Sequence, residues 1–215
     1  MPSSLFSHQA PGLLLKIKYP KKFDGTALCI STIIPDIYIL FHPFLPFELR
    51  NLTHSLIGLF VLTIPLSIIL TIIFSMNIGP FLAKRVQDKA IFHRPLRYFG
   101  IDKFDVLKNK KIDKRFFVVS SYSALIGGLS HLLLDLPSHG NIEFFFPVIL
   151  QTPEILLHSI IDYGTFSFGS IELEGNIQVF DLIWLIETIV FLIITLYLLR
   201  LIRKRDLIHK WYEVS

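Results

Sequence analysis

Three stretches of the chain are long and apolar, the first two free of Asp, Glu, Lys and Arg and the third interrupted by Glu187 and Arg200. Leu56 to Ile78 is the first, and it runs for 23 residues. A helix needs about 20 apolar residues to cross the hydrocarbon of a bilayer, so this stretch predicts a membrane span. Pro65 inside it predicts a kink, which neighbouring helices tolerate in a membrane. Phe116 to Leu134 is the second, where Gly127 and Gly128 permit close helix contact. Leu182 to Ile202 is the third, and it ends in Arg203-Lys204-Arg205.

Shorter apolar runs lie between and before these spans. Pro11 to Tyr19 holds Lys16 and Lys18 and is too short to cross; Thr26 to Phe41 is broken by Pro35-Asp36. Lys21, Lys22, Asp24 and Gly25 predict a turn between two short helices. The expected arrangement is a hairpin that dips into the bilayer with both ends at the outer face. The alternative is one tilted span from Thr26 to Phe44 with the N-terminus inside. Phe144 to Leu150 and Ile155 to Ile161, split by Pro153, predict short helices lying at the outer face. The fold class is therefore all-α: a polytopic membrane helical bundle with three to four spanning helices. Short N-terminal and extracytoplasmic helices complete one domain over residues 1–215, with no internal repeat.

Composition supports lipid as the solvent. Hydrophobic residues make up 52% of the chain and charged residues 18%, with a mean hydropathy of +0.58. A water-soluble domain carries about a quarter charged residues, so too little polar surface remains to cover a globule in water. Cys29 is the one cysteine, which excludes an internal disulfide and a cysteine-built zinc site. The opening residues Met1 to His8 lack a basic region followed by an apolar one, so no cleaved leader is expected.

Charge then orients the spans. Between the first two lie eleven bases, from Lys84 to Arg115, against Asp88, Asp102, Asp105 and Asp113. From Pro137 to Val179 there is no Lys or Arg, but there are Glu143, Glu154, Asp162, Glu172 and Glu174. The positive-inside rule places the basic loop, about residues 80–115, and the C-terminus in the cytoplasm. The acidic segment is then outside, and the protein is a multi-pass protein of the cell membrane. The bases show neither aromatic interleaving nor a recognition motif, so no nucleic-acid partner is expected. They fit a solvated linker or a contact with lipid phosphates.

Five polar features interrupt this apolar background: Ser7-His8, Pro35-Asp36, Thr53-His54-Ser55, His131 to His139, and His158 to Asp162. On a helix, residues four apart share a face, so His131 and Asp135 can aim an imidazole and a carboxylate at one point. Pro137 limits that helix, and His139 can fold back from the turn beyond it. His158 and Asp162 repeat the spacing and offer a second pair. Ionisable groups inside membrane segments are costly and mark function by default. A divalent cation offsets the cost, since imidazole and carboxylate are its ligands. Each feature alone has a plainer reading: a cap at His54, a turn at Asp36, a loose tail at His8. The topology decides, because it brings His8, Asp36, His54 and His131 to His139 to one end of the bundle. His42, His93 and His209 lack partners at ligand spacing and fit interfacial or solvated positions.

Carried together, these stretches resemble an uncharacterised bacterial membrane family, domain of unknown function 4184. The matching pieces are Ser7-His8-Gln9-Ala10, Ile30 to Asp36, Thr53 to Gly58, Gly127 to His139 and Tyr163-Gly164-Thr165. More distantly the chain is similar to membrane-bound predicted metal-dependent hydrolases, zinc-dependent phospholipase C and P1-type nucleases. That resemblance implies zinc held by scattered His and Asp, here His8, Asp36, His54, His131, Asp135 and His139, with His158 and Asp162 as the second pair. The soluble enzymes also use an N-terminal Trp as a ligand. This chain has no counterpart, so the resemblance implies one or two ions rather than three.

The expected function is a metal-dependent hydrolase of a phosphoester, with a phospholipid as one candidate substrate, at the extracytoplasmic face. Zn²⁺ or a similar ion would lower the pKa of a water, and Asp36 would bridge ions or serve as general base. Two alternatives stay open. One is an ion or proton transporter using Asp36, Asp135, Asp181 and Glu187; the other is a membrane scaffold that needs metal only to fold.

Overall fold

A computed structural model describes residues 4–37, 49–87, 91–138, 142–168 and 171–212. The chain begins with α1 (Ser4–Ser7) and α2 (Gln9–Lys18). A turn leads to α3 (Gly25–Ser31), followed by a 3-10 turn at Ile34–Ile37. Asp24 starts α3 by accepting the N–H of Ala27 at 3.0 Å, the usual way a helix start is satisfied. α2 and α3 pack against each other, so the predicted N-terminal hairpin forms. Because α3 ends at Ser31 and a 3-10 turn follows, no continuous helix runs through Pro35.

The first span follows α4 (Leu49–Thr53) and is one long helix, α5 (Leu56–Gln87). It contains two wider π turns, Leu59–Thr63 and Phe74–Ile78. In them the N–H of Ile64 reaches back to the Leu59 carbonyl, and that of Gly79 to the Phe74 carbonyl. Each π turn is followed by one residue and then a proline, with Ile64 leading to Pro65 and Gly79 to Pro80. A proline ring clashes with the carbonyl four residues earlier and brings no N–H. A turn widened by one residue accommodates both defects, and this is how the strain expected at Pro65 is absorbed.

The basic loop holds α6 (Arg94–Tyr98) and a 3-10 helix at Ile101–Asn109. The second span is α7 (Lys114–Ser138), started by Asp113, which accepts the N–H of Phe116 at 2.8 Å. The third is α8 (Val179–Lys204), followed by α9 (Leu207–Tyr212). α7 packs against both α3 and α5, while α8 packs against α1 and α2. A small core of Leu13, Val106, Leu198, Ile202 and Ile208 closes the end that carries the basic residues. Only 28%, 39% and 11% of the most apolar windows of α5, α7 and α8 are buried inside the protein. Helices this apolar left this open demand a lipid surround.

One expectation is corrected here. The segment after α7 forms strands, not short helices. β1 (Ile142–Phe145) pairs antiparallel with β2 (Val148–Leu150), and β3 (Ser159–Phe168) pairs antiparallel with β4 (Ile171–Gln178). The cause lies in residue type. Short runs rich in Phe, Ile and Val, bounded by Pro147 and Pro153, are ambiguous by periodicity alone. Aromatic and β-branched side chains tip them toward extended backbone.

Candidate metal centre

His131 and Asp135 stand one turn apart on α7, and His131 Nε2 lies 3.1 Å from Asp135 Oδ2. α5 is preceded by a break in the chain at His54. There α4 ends at Thr53, and Ser55 starts α5 by accepting the Gly58 N–H at 3.0 Å. The break turns His54 inward, where its Nε2 lies 3.4 Å from Asp135 Oδ2 and 3.4 Å from Asp36 Oδ1. Asp36 sits in the 3-10 turn after α3, with Oδ1 also 3.9 Å from His131 Nε2. Ligand atoms from Asp36, His54, His131 and Asp135 all lie within 4.8 Å of one another. These four residues can hold a metal ion.

Two glycines make the convergence physically accessible. A Cβ on Gly127 would overlap Ser31 Oγ and the Leu28 carbonyl, and one on Gly128 would overlap Leu59 and Thr63. Without side chains at these neighbours, α7 lies against α3 on one side and α5 on the other. His131 follows one turn later, between the ends of both.

The rings are also oriented. The Nδ1–H of His54 has the Arg50 carbonyl at 3.2 Å and Thr53 Oγ1 at 3.1 Å, which turns Nε2 toward the carboxylates. His8 packs edge-on against His131, with their Nδ1 atoms 2.9 Å apart, and its Nε2 is 3.6 Å from Asp135 Oδ1. His131 Nε2 is fully buried with no aligned hydrogen bond among the described residues. A buried imidazole nitrogen aimed at carboxylates but not bonded to them suits a cation better than a proton. Burial lowers the affinity of His54 for a proton, but Asp135 and Asp36 outweigh this and push its pKa up to about 9. Asp36 has a side-chain exposure of 15%, against 6% or less for its three partners. It is the member that a molecule entering from outside would meet first.

A family model described as Domain of unknown function (DUF4184) matches residues 1–210. The chain belongs to this family. No curated protein and no solved structure matches it.

In this DUF4184 chain the structure gathers five of the residues singled out from sequence: His8, Asp36, His54, His131 and Asp135. His139 and His42 lie outside the described residues. His158 and Asp162 do not form the second pair that their spacing suggested. Asp162 is on β3, and both residues are exposed. Four residues of extended chain cover roughly 13 Å, so the one-turn geometry is lost, and Asp162 Oδ1 instead accepts the Gly164 N–H at 3.0 Å. Asp181 starts α8 by accepting the Gln178 N–H at 3.0 Å. Sequence reading missed the groups that orient His54. Thr53 was visible beside it, but the Arg50 carbonyl has no sequence signal beyond its four-residue spacing.

Proposed function

We propose that this protein is a membrane-embedded metal-dependent hydrolase that acts on a phosphoester at the acidic, outer end of its bundle. The observation that carries this reading is the convergence of Asp36, His54, His131 and Asp135 from three separate segments on one buried point. Two imidazoles and two carboxylates match the ligand chemistry of zinc and of harder divalent cations. When bound, such a cation would act as a Lewis acid and lower the pKa of a water toward about 7. His131, Asp135 and His54 are the ligands in this reading. Asp36, more open than the rest, would either join the ligand set or take a proton from water as general base. His8 holds the tautomer of His131, as residues behind a ligand do. The distant likeness to zinc-dependent phospholipase C and P1-type nucleases supports a phosphoester, with a phospholipid the natural form inside a bilayer.

The test is metal analysis of the purified protein, followed by a panel of phosphodiester and phosphomonoester substrates, including phospholipids. Near-stoichiometric metal with hydrolysis that a chelator abolishes is the expected result. Metal without any hydrolysis would reject the enzyme.

One observation favours a second reading, ion or proton transport. Thr63, Ser67, Thr71 and Ser75 recur every fourth residue along α5 and are essentially fully buried. A polar row inside a span can carry ions, and also lets helices pack closely. Proton or cation flux in liposomes, lost on Asp36→Asn, would support transport.

A further inference from the structure

The end of the N-terminal hairpin away from the metal centre meets a second concentration of polar groups. A cavity of about 720 Å³ opens there between the hairpin turn, the start of α7 and α9. Six basic side chains line it: Lys16, Lys21, Lys110, Lys111, Arg115 and Lys210. Two carboxylates face them, and both are already engaged. Asp24 starts α3 and pairs with Lys110 at 2.9 Å; Asp113 starts α7.

Four of the bases are exposed, as ordinary cytoplasmic-loop lysines and arginines would be. Lys16 and Lys110 are different. Lys16 is 4% exposed, and the side chain of Lys110 is 6% exposed. Lys16 Nζ donates to the carbonyls of Pro20 at 2.6 Å and Phe23 at 2.7 Å, and its ammonium lies 5.1 Å from the Trp211 ring. Lys110 Nζ lies 5.1 Å from the Tyr212 ring. Burial lowers the pKa of Lys16 to about 8, with Asp24 opposing and Lys110 adding to the fall; burial lowers that of Lys110 too, against Asp24. Asp24 and Thr26 hold Lys110 and two carbonyls hold Lys16. Among the described residues, however, Asp24 is the one carboxylate paired with this group of six bases, since Asp113 serves the start of α7. The excess positive charge around the cavity favours an anion, which accepts charge-assisted hydrogen bonds. Phe116 and Val119 of α7 join Phe23, Leu207 and Trp211 in the apolar part of the wall, and the cavity lies where the second span begins.

We propose that this cavity binds a phosphate group, with the headgroup of an anionic phospholipid as the source its position favours. Basic pockets between helices at the cytoplasmic surface are suited to such headgroups. Lysine suits phosphate as a mobile point charge, and the apolar wall gives the first carbons of an acyl chain a place to lie. The site is separate from the metal centre and does not depend on the hydrolase reading.

The full-length protein in mild detergent would be titrated with dioleoyl phosphatidylglycerol, dioleoyl phosphatidylcholine and inorganic phosphate in parallel. Bound lipid would be read by native mass spectrometry and stabilisation by thermal unfolding. Phosphatidylglycerol should remain bound and raise the unfolding temperature, and phosphatidylcholine should do neither. The exposed double variant Lys111→Ala/Lys210→Ala should weaken phosphatidylglycerol binding at least tenfold while the free protein stays folded. Lys84→Ala/Arg94→Ala, equally basic but away from the cavity, should leave it unchanged. Lys16→Met probes the buried donor and is read only if the variant folds. Stabilisation by inorganic phosphate alone, lost in the same rim variant, would keep the site and assign it to free phosphate. Equal retention of phosphatidylglycerol in the rim variant and its control, or equal binding of both lipids, would overturn the proposal.

Discussion

The ring of His54 faces two ways. Its Nδ1–H is committed to the Arg50 carbonyl and Thr53, so any proton it gains or loses sits on Nε2, among the carboxylates. With its pKa pushed up to about 9, Nε2 carries a proton at pH 7.5 when no cation is present. A cation bound to Nε2 must displace that proton. The sign follows: below about pH 9 metal binding should release about one proton from His54, and affinity should weaken as pH falls. Calorimetric titration of the metal-free protein with Zn²⁺ in buffers of different ionisation enthalpy would measure this, and an apparent enthalpy independent of buffer would contradict it. Asp36 and His131 separate ligand from base. His131→Ala and Asp135→Ala should each remove metal and hydrolysis together, and the double variant should be little worse, because such residues act as a unit. Asp36→Asn should keep most of the metal while turnover falls roughly 10²–10⁴-fold, the usual size of general base catalysis. Loss of metal in that variant would make Asp36 a ligand instead.

The close approach of α7 to α3 holds the centre together at the level of elements. Gly127→Ala places a Cβ on the Leu28 carbonyl and Ser31 Oγ, and backbone cannot step aside cheaply. The expected cost is about 1–3 kcal/mol, accompanied by loss of bound metal because Asp36 moves away with α3. Gly12→Ala is the matched control, since its Cβ would meet Leu28 at an ordinary 3.4 Å. Thermal unfolding with metal analysis would compare them, and equal behaviour of the two variants would show that the glycine contact does not set the site. The elements themselves were legible to different degrees, for physical reasons. The spans announce themselves because the bilayer core fixes both their length and their polarity. The hairpin was legible because Pro35-Asp36 and the Lys21 to Gly25 run cannot continue a helix. The strands at Ile142–Leu150 and Ser159–Gln178 were not, since a short apolar run satisfies either backbone until its pairing partner is known. Nor was the burial of Asp24, read as a turn residue, and of Lys110, read as a loop charge, which depends on a contact across 86 positions of sequence.

The molecule as a whole is polarised. The residues that could hold a metal ion gather near the end of α7 and the start of α5, and its bases near the start of α7 and the end of α8. The positive-inside rule predicts that the basic end faces the cytoplasm: a cysteine at exposed Glu154 should then react with an impermeant thiol reagent on intact cells, and one at exposed Lys108 should not, both in a Cys29→Ser background. The reverse pattern would put the metal centre on the cytoplasmic side. The hairpin adds a consequence for how such a chain is made. Asp24 needs Lys110 and Ser123, which lie 86 and 99 residues later; His8 needs His131, 123 residues later. Synthesis at about 5–20 residues per second separates hairpin from partners by roughly 4–25 s. During that time its lysines and aspartate cannot sit in lipid without partners. The hairpin must therefore wait outside the hydrocarbon until those partners are made, so the gathered His and Asp cluster is a sign that the second span has arrived.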